Sequence, residues 1–117
     1  MKELMLSVVA AVSLVSVAAV SPASPAAQTV QIKGFAFSPK VLTVTVGQTA
    51  RFVNQDQEAH TVVADKGAFN SGGLDTNDSW TVRLQKPGTN AYFCSLHPYM
   101  KGTIVVQAAR GAMRGAH

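Results

Sequence analysis

"KPGTNAYFCSLHPYMKGTIVV", residues 86–106, reads as a turn, a strand, a short loop and a second strand. Lys86-Pro87-Gly88 is turn chemistry. "NAYFC" and "GTIVVQA" carry the aromatic and β-branched residues that suit strands. Between them, Pro98 lacks an amide hydrogen and forbids a regular strand through "SLHPYM". The chain must curve there, and Gly102 lets it re-enter the final strand. The curve gathers a thiol, an imidazole and a thioether in Cys94, His97 and Met100, and Cys94 is the chain's single cysteine.

Working upstream, the same grammar recurs. "TVQIKGFAF" alternates through Val30 and Ile32 and continues to Phe35 and Phe37. "VLTVTV" sets Leu42, Val44 and Val46 on one face, and Gly47-Gln48 turns the chain. "TARFVNQ" is a strand, "DQE" a polar turn and "AHTVVAD" a further strand. "KGAFNSGGLDTND" is a longer glycine-containing connection. "SWTVRLQ" sets Trp80, Val82 and Leu84 on one face. After residue 27 there is no helical period of useful length. Seven to eight short strands separated by turns predict an all-β fold, an antiparallel sandwich or barrel.

The 117 residues allow one small domain. Part of the 47% hydrophobic content lies in an uncharged run, "LMLSVVAAVSLVSVAAV", at residues 4–20. Lys2 precedes it and small residues with proline follow. This is the pattern of a secretory leader over residues 1–26, cleaved after Ala23 or Ala26, with an uncleaved membrane anchor as the other reading. The β domain is then 28–107, and 108–117 forms a small, polar, flexible tail. The location expected is exported, periplasmic or extracytoplasmic. From Gln28 onward nine Lys/Arg face five Asp/Glu, a net of +4. The charges are scattered, which argues against nucleic acid. The positive excess suits solubility or an acidic partner. An exported chain usually pairs its cysteines. One cysteine permits no internal disulfide, so its sulfur calls for another use.

The donors suggest that use. Cys94 and His97 are strong ligands for late first-row metals, and the thioether of Met100 is a weak donor suited to copper. His60, 34 residues before Cys94 at the start of a strand, is a fourth candidate. Two His and one Cys with a distant axial Met is the blue-copper arrangement. Zinc sites favour tetrahedral Cys/His sets, usually with paired spacings absent here. Singly, each residue has a plainer role: a buried core thiol, a surface histidine, a core methionine, ordinary turn residues. Together, in an exported all-β chain with one thiol, they favour a metal.

"FAFSPKVLTVTVGQTARFVNQDQEAHTVVAD" at 35–65, "FNSGG" at 69–73 and the stretch quoted first resemble the cupredoxins, the small blue copper proteins, and among them the amicyanin/plastocyanin-like group with its short ligand loop. The resemblance spans Val30 to Val106. It implies a Greek-key β-sandwich with one type 1 copper bound strongly by His60, Cys94 and His97 and weakly by Met100. Both imidazoles would bind through the ring nitrogen nearer the backbone. The far edge of His97 would lie at the surface, flanked by Pro98 and Tyr99, as an electron port. Two departures stand out. Thr61 replaces an asparagine that ties the ligand segments together, which leaves the rigidity of that tie open. Asn90 replaces a core tyrosine, so altered packing near the ligand strand is expected, with Tyr92 retained and no ligand lost.

The function implied is a one-electron carrier between protein redox partners with acidic docking faces, acting as a monomer. No nucleic acid is expected, and a membrane is met only through an uncleaved leader. A copper chaperone or storage protein is the alternative. Its sites are usually open and Met-rich, and the loop holds one Met. An enzyme is not expected. A copper oxidase or nitrite reductase needs a second histidine-rich site, and of three histidines the third, His117, ends the tail. A Cys-His nucleophilic dyad would need an oxyanion hole and cleft that nothing in the sequence signals.

Overall fold

The computed structural model describes residues 27–109. The expected leader over 1–26 and most of the 108–117 tail lie outside the described residues. Within them the chain forms eight strands: β1 (Gln28–Ile32), β2 (Phe37–Ser38), β3 (Val41–Thr45), β4 (Thr49–Asn54), β5 (Val63–Ala64), β6 (Ser79–Arg83), β7 (Gly88–Phe93) and β8 (Lys101–Gln107). They make two four-stranded sheets, ordered β2-β1-β4-β6 and β3-β8-β7-β5. The all-β sandwich read from the sequence is therefore the architecture.

The pairing is mixed rather than wholly antiparallel. β1 runs parallel to β4, and β3 parallel to β8. Parallel neighbours need a crossover rather than a hairpin. Here the chain leaves β1, enters the other sheet as β3, and returns as β4, so the first strands of each sheet meet their partners across a crossover.

Alternation decides which side chains face inward. β1 buries Val30 and Ile32, β3 buries Leu42 and Val44, β4 buries Ala50 and Phe52, and β8 buries Ile104 and Val106. Between the sheets Tyr92 meets Phe37 and Phe52 edge-on, with ring centroids 4.8 and 5.3 Å apart. Burial pushes the Tyr92 phenol above its ordinary pKa. Gly102 lies opposite Tyr92 in the β7–β8 ladder, and a Cβ there would overlap the phenol ring. Its glycine thus makes room for an aromatic ring across the ladder, a more specific role than easing re-entry after the loop.

Two segments depart from the strand reading. "TVQIKGFAF" breaks after Ile32 into a turn at Lys33–Ala36, closed by reciprocal backbone bonds of 3.0 and 3.2 Å. Gly34 and Phe35 both take left-handed backbone there, with φ of 62° and 56°. "AHTVVAD" yields the short β5 only, and His60 precedes it in an isolated bridge to Leu74.

Candidate metal centre

β7 pairs along its length with β8 and carries Phe93 at its end, so Cys94 emerges directly from the sheet. The loop that follows closes on itself. The Met100 carbonyl accepts from the Cys94 amide at 3.1 Å, Cys94 accepts from His97 at 3.2 Å, and His97 accepts from Met100 at 2.9 Å. Cys94 and Met100 are buried, while Leu96, Pro98 and Tyr99 face outward and His97 is half-buried between them. Leu96 and Tyr99 are 53% and 69% exposed, so an apolar surface surrounds the His97 ring.

His60 arrives from the other side on a segment fixed by buried polar groups. Its amide and carbonyl pair with Leu74 at 3.0 and 2.7 Å. Asn54, fully buried, donates to the Glu58 and Leu74 carbonyls, both at 2.9 Å, and accepts from the Asp56 amide at 2.9 Å. The His60 Nε2 lies 2.8 Å from Asp56 Oδ2. Burial pushes the Asp56 carboxyl up, but amide donors from Phe35 and Gly34 and the His60 ring outweigh it and hold the group below the usual carboxylate range. An ionised carboxylate only accepts, so Nε2–H is the donor of this pair, and in the neutral ring the lone pair then lies on Nδ1.

The Nδ1 atoms of His60 and His97 each lie 3.7 Å from the Cys94 sulfur. The three donor atoms fall within 4.8 Å of one another. The nitrogens nearer the backbone thus face the thiol. The Phe35 ring stands edge-on to both imidazoles, with centroids 5.1 Å from His60 and 4.9 Å from His97. Sequence reasoning assigned neither Phe35 nor Asp56 to the site. The signal available was an acidic residue four positions before the upstream histidine.

The Thr61 substitution does not leave the ligand segments untied. Its amide donates to the Cys94 sulfur at 3.3 Å. Its hydroxyl accepts from the Ser95 amide at 2.7 Å and shares a 2.8 Å bond with the Ser95 hydroxyl. A threonine therefore performs the bridging expected of an asparagine amide. Asn90, the other departure, is half-buried on β7 and lines two surface pockets of about 310 Å³ each.

One thiol and two imidazoles converging at this spacing, with a thioether-bearing residue closing the same loop, fit a single copper ion. A structural zinc site would ask for a fourth Cys or His. A two-sheet β-sandwich carrying a His-Cys-His set with two members buried and one half-buried is the build of a mononuclear metal protein. Residues 4–106 match the family profile of the Cupredoxin-like domain, and the chain belongs to that family.

Amicyanin from Paracoccus versutus is 27% identical over 86 residues, covering 69% of this chain and 65% of that protein. Chloroplastic plastocyanin from Chlamydomonas reinhardtii is 34% identical over 84 residues, covering 61% of this chain and 58% of that one. The chain thus spans a little under two thirds of these relatives' length. The Cu(I) form of a methionine-to-alanine variant of amicyanin superposes with a TM-score of 0.65 at 27% identity, over 69% of this chain and 82% of that one. A copper-containing nitrite reductase from Thermus scotoductus superposes with a TM-score of 0.64 at 37% identity, over 68% of this chain and 22% of the enzyme.

Proposed function

We propose that this protein is an exported one-electron carrier that holds one copper ion through His60, Cys94 and His97, with Met100 as a weak axial donor. The observation that carries the reading is the convergence of the Cys94 sulfur and two Nδ1 atoms within 4.8 Å. Bound there, copper supplies a one-electron Cu(I)/Cu(II) couple. The chain's own residues supply the rest. The Thr61 amide donates to the sulfur and tempers its electron density. The sheet behind Cys94 and the bonded segment around His60 hold the donors still, which keeps reorganisation small when charge changes. Met100 is buried at the closing end of the loop, which favours its role as the fourth donor.

His97 is the ligand nearest the solvent, and its ring among Leu96, Pro98 and Tyr99 is the surface a redox partner would meet. Protein partners with acidic faces are favoured by the net positive charge, and a monomer suffices for such contact. The chain is read as a carrier and not a catalyst: both histidines of the described residues belong to the donor set, and the similarity to the nitrite reductase covers about a fifth of that enzyme.

The test is optical. The copper-loaded protein should show an intense thiolate-to-Cu(II) band that ascorbate bleaches and Cys94→Ala abolishes. A colourless Cu(II) form that gives up its metal rapidly to a chelator would point instead to storage or delivery of copper. Met100→Leu should retain copper and raise the reduction potential, since a donor to Cu(II) is lost. An unchanged or lower potential would remove Met100 from the axial role.

A further inference from the structure

One carboxylate stands behind the metal centre and organises two of its neighbours. Asp56 Oδ1 accepts from the Gly34 amide at 2.7 Å, and Oδ2 accepts from the Phe35 amide at 2.9 Å. Oδ2 also receives the His60 Nε2–H at 2.8 Å. Gly34 and Phe35 are consecutive left-handed residues, which turns both amides to the same side as an anion-holding nest. The Asp56 side chain is itself only 11% exposed. Its backbone is fixed as well, its amide by Asn54 and its carbonyl by the Thr76 hydroxyl at 2.9 Å. The same turn carries the Phe35 ring that abuts both imidazoles.

We infer that Asp56 is a positioning residue of the metal centre, fixing the Nε2–H tautomer of His60 and making that imidazole a stronger donor to the higher-charged copper ion. The inference rests on the copper reading above. A carboxylate on the far nitrogen of a ligating histidine locks its tautomer and orientation and raises its basicity. A more basic donor favours Cu(II) over Cu(I), so Asp56 acts to lower the reduction potential. A role confined to shaping the turn would be different. Asparagine at this position could still accept from His60 and from one amide, but it carries no charge.

Two measurements decide the matter. The first needs no metal. Long-range proton–nitrogen NMR of the metal-free protein, with both imidazoles neutral, should show His60 solely as the Nε2–H tautomer. Asp56→Ala should give a mixture. A wild-type His60 carrying its proton on Nδ1, or a mixture of tautomers, would overturn the inference whether or not Asp56→Ala folds. The second uses Asp56→Asn loaded with copper. Its Cu(II) affinity should fall by about 10- to 100-fold, the usual cost of losing such a partner, with a smaller loss for Cu(I) and a raised potential. A potential equal to wild type, with the blue band intact, would overturn the donor role of Asp56 while leaving the copper reading standing. Failure of the wild-type protein to develop that band would instead sink the copper reading, and the tautomer measurement would still judge the positioning.

Discussion

The two segments that bring donors to the centre are built in opposite ways. Residues 54–61 are anchored inward at Asn54, His60 and Thr61, and polar groups hold them: Asn54 bonds three backbone groups and Asp56 gathers two amides and a ring nitrogen. Residues 94–100 run outward. Three backbone bonds close their curve, and Leu96, Pro98 and Tyr99 point to solvent. The first segment contributes rigidity, and the second, on the proposed function, offers the contact. A site that must stay still and yet be reached divides those duties between its two sources of ligands.

If that division holds, substitutions should separate stability from contact. Asn54→Leu should have the largest effect. It strands the Glu58 and Leu74 carbonyls and the Asp56 amide, and should cost about 2 to 4 kcal/mol in denaturant unfolding. A loss below about 0.5 kcal/mol, the ordinary range for a surface change, would break the comparison. Thr61→Val, which joins the two segments less well, should cost about 1 kcal/mol, because the Ser95 amide loses its acceptor but can reach water. Thr61→Asn should recover most of it if the tie itself is what matters. Leu96→Asp should leave stability within about 0.5 kcal/mol. It should also leave the visible band in place and slow electron self-exchange between oxidised and reduced copper-loaded protein, followed by NMR line broadening. Unchanged self-exchange would move the contact surface away from His97.

Much of this was legible in the sequence, for identifiable reasons. Leu42 and Val44, and Ile104 and Val106, alternate with exposed or half-buried neighbours, so period and burial agree. The Cys94, His97 and Met100 spacing announces a compact donor loop because Pro98 allows no strand there. What escaped was set by tertiary contact. "KGFAF" looks like continuing strand, yet the chain turns at Gly34 and Phe35, and the second of these adopts a left-handed backbone that a bulky residue rarely takes. The carboxylate holding that turn comes from 21 residues away, and no local pattern announces it. Asp56 itself sits in "DQE", which reads as a solvated turn. The strand expected from His60 onward shrinks to β5 because the His60 backbone pairs with Leu74 and Val63 with Asn70, instead of extending a ladder. The sequence leaves the Thr61 link open because the side chain expected to bridge there is an amide. The hydroxyl reaches Ser95 all the same, at 2.7 Å from its amide.

The amide of Thr61 has one further consequence. It donates to the sulfur of Cys94, a residue with no exposure that leaves the end of a strand paired over six positions with β8. That proton is shielded by a fully buried sulfur anchored directly at the end of β7. Hydrogen–deuterium exchange at Thr61 should therefore proceed at the pace of whole-molecule unfolding, whereas the amides of Leu96 and Tyr99 exchange by local opening. A single peptide proton beside the thiol would then serve as a clock for the entire sandwich.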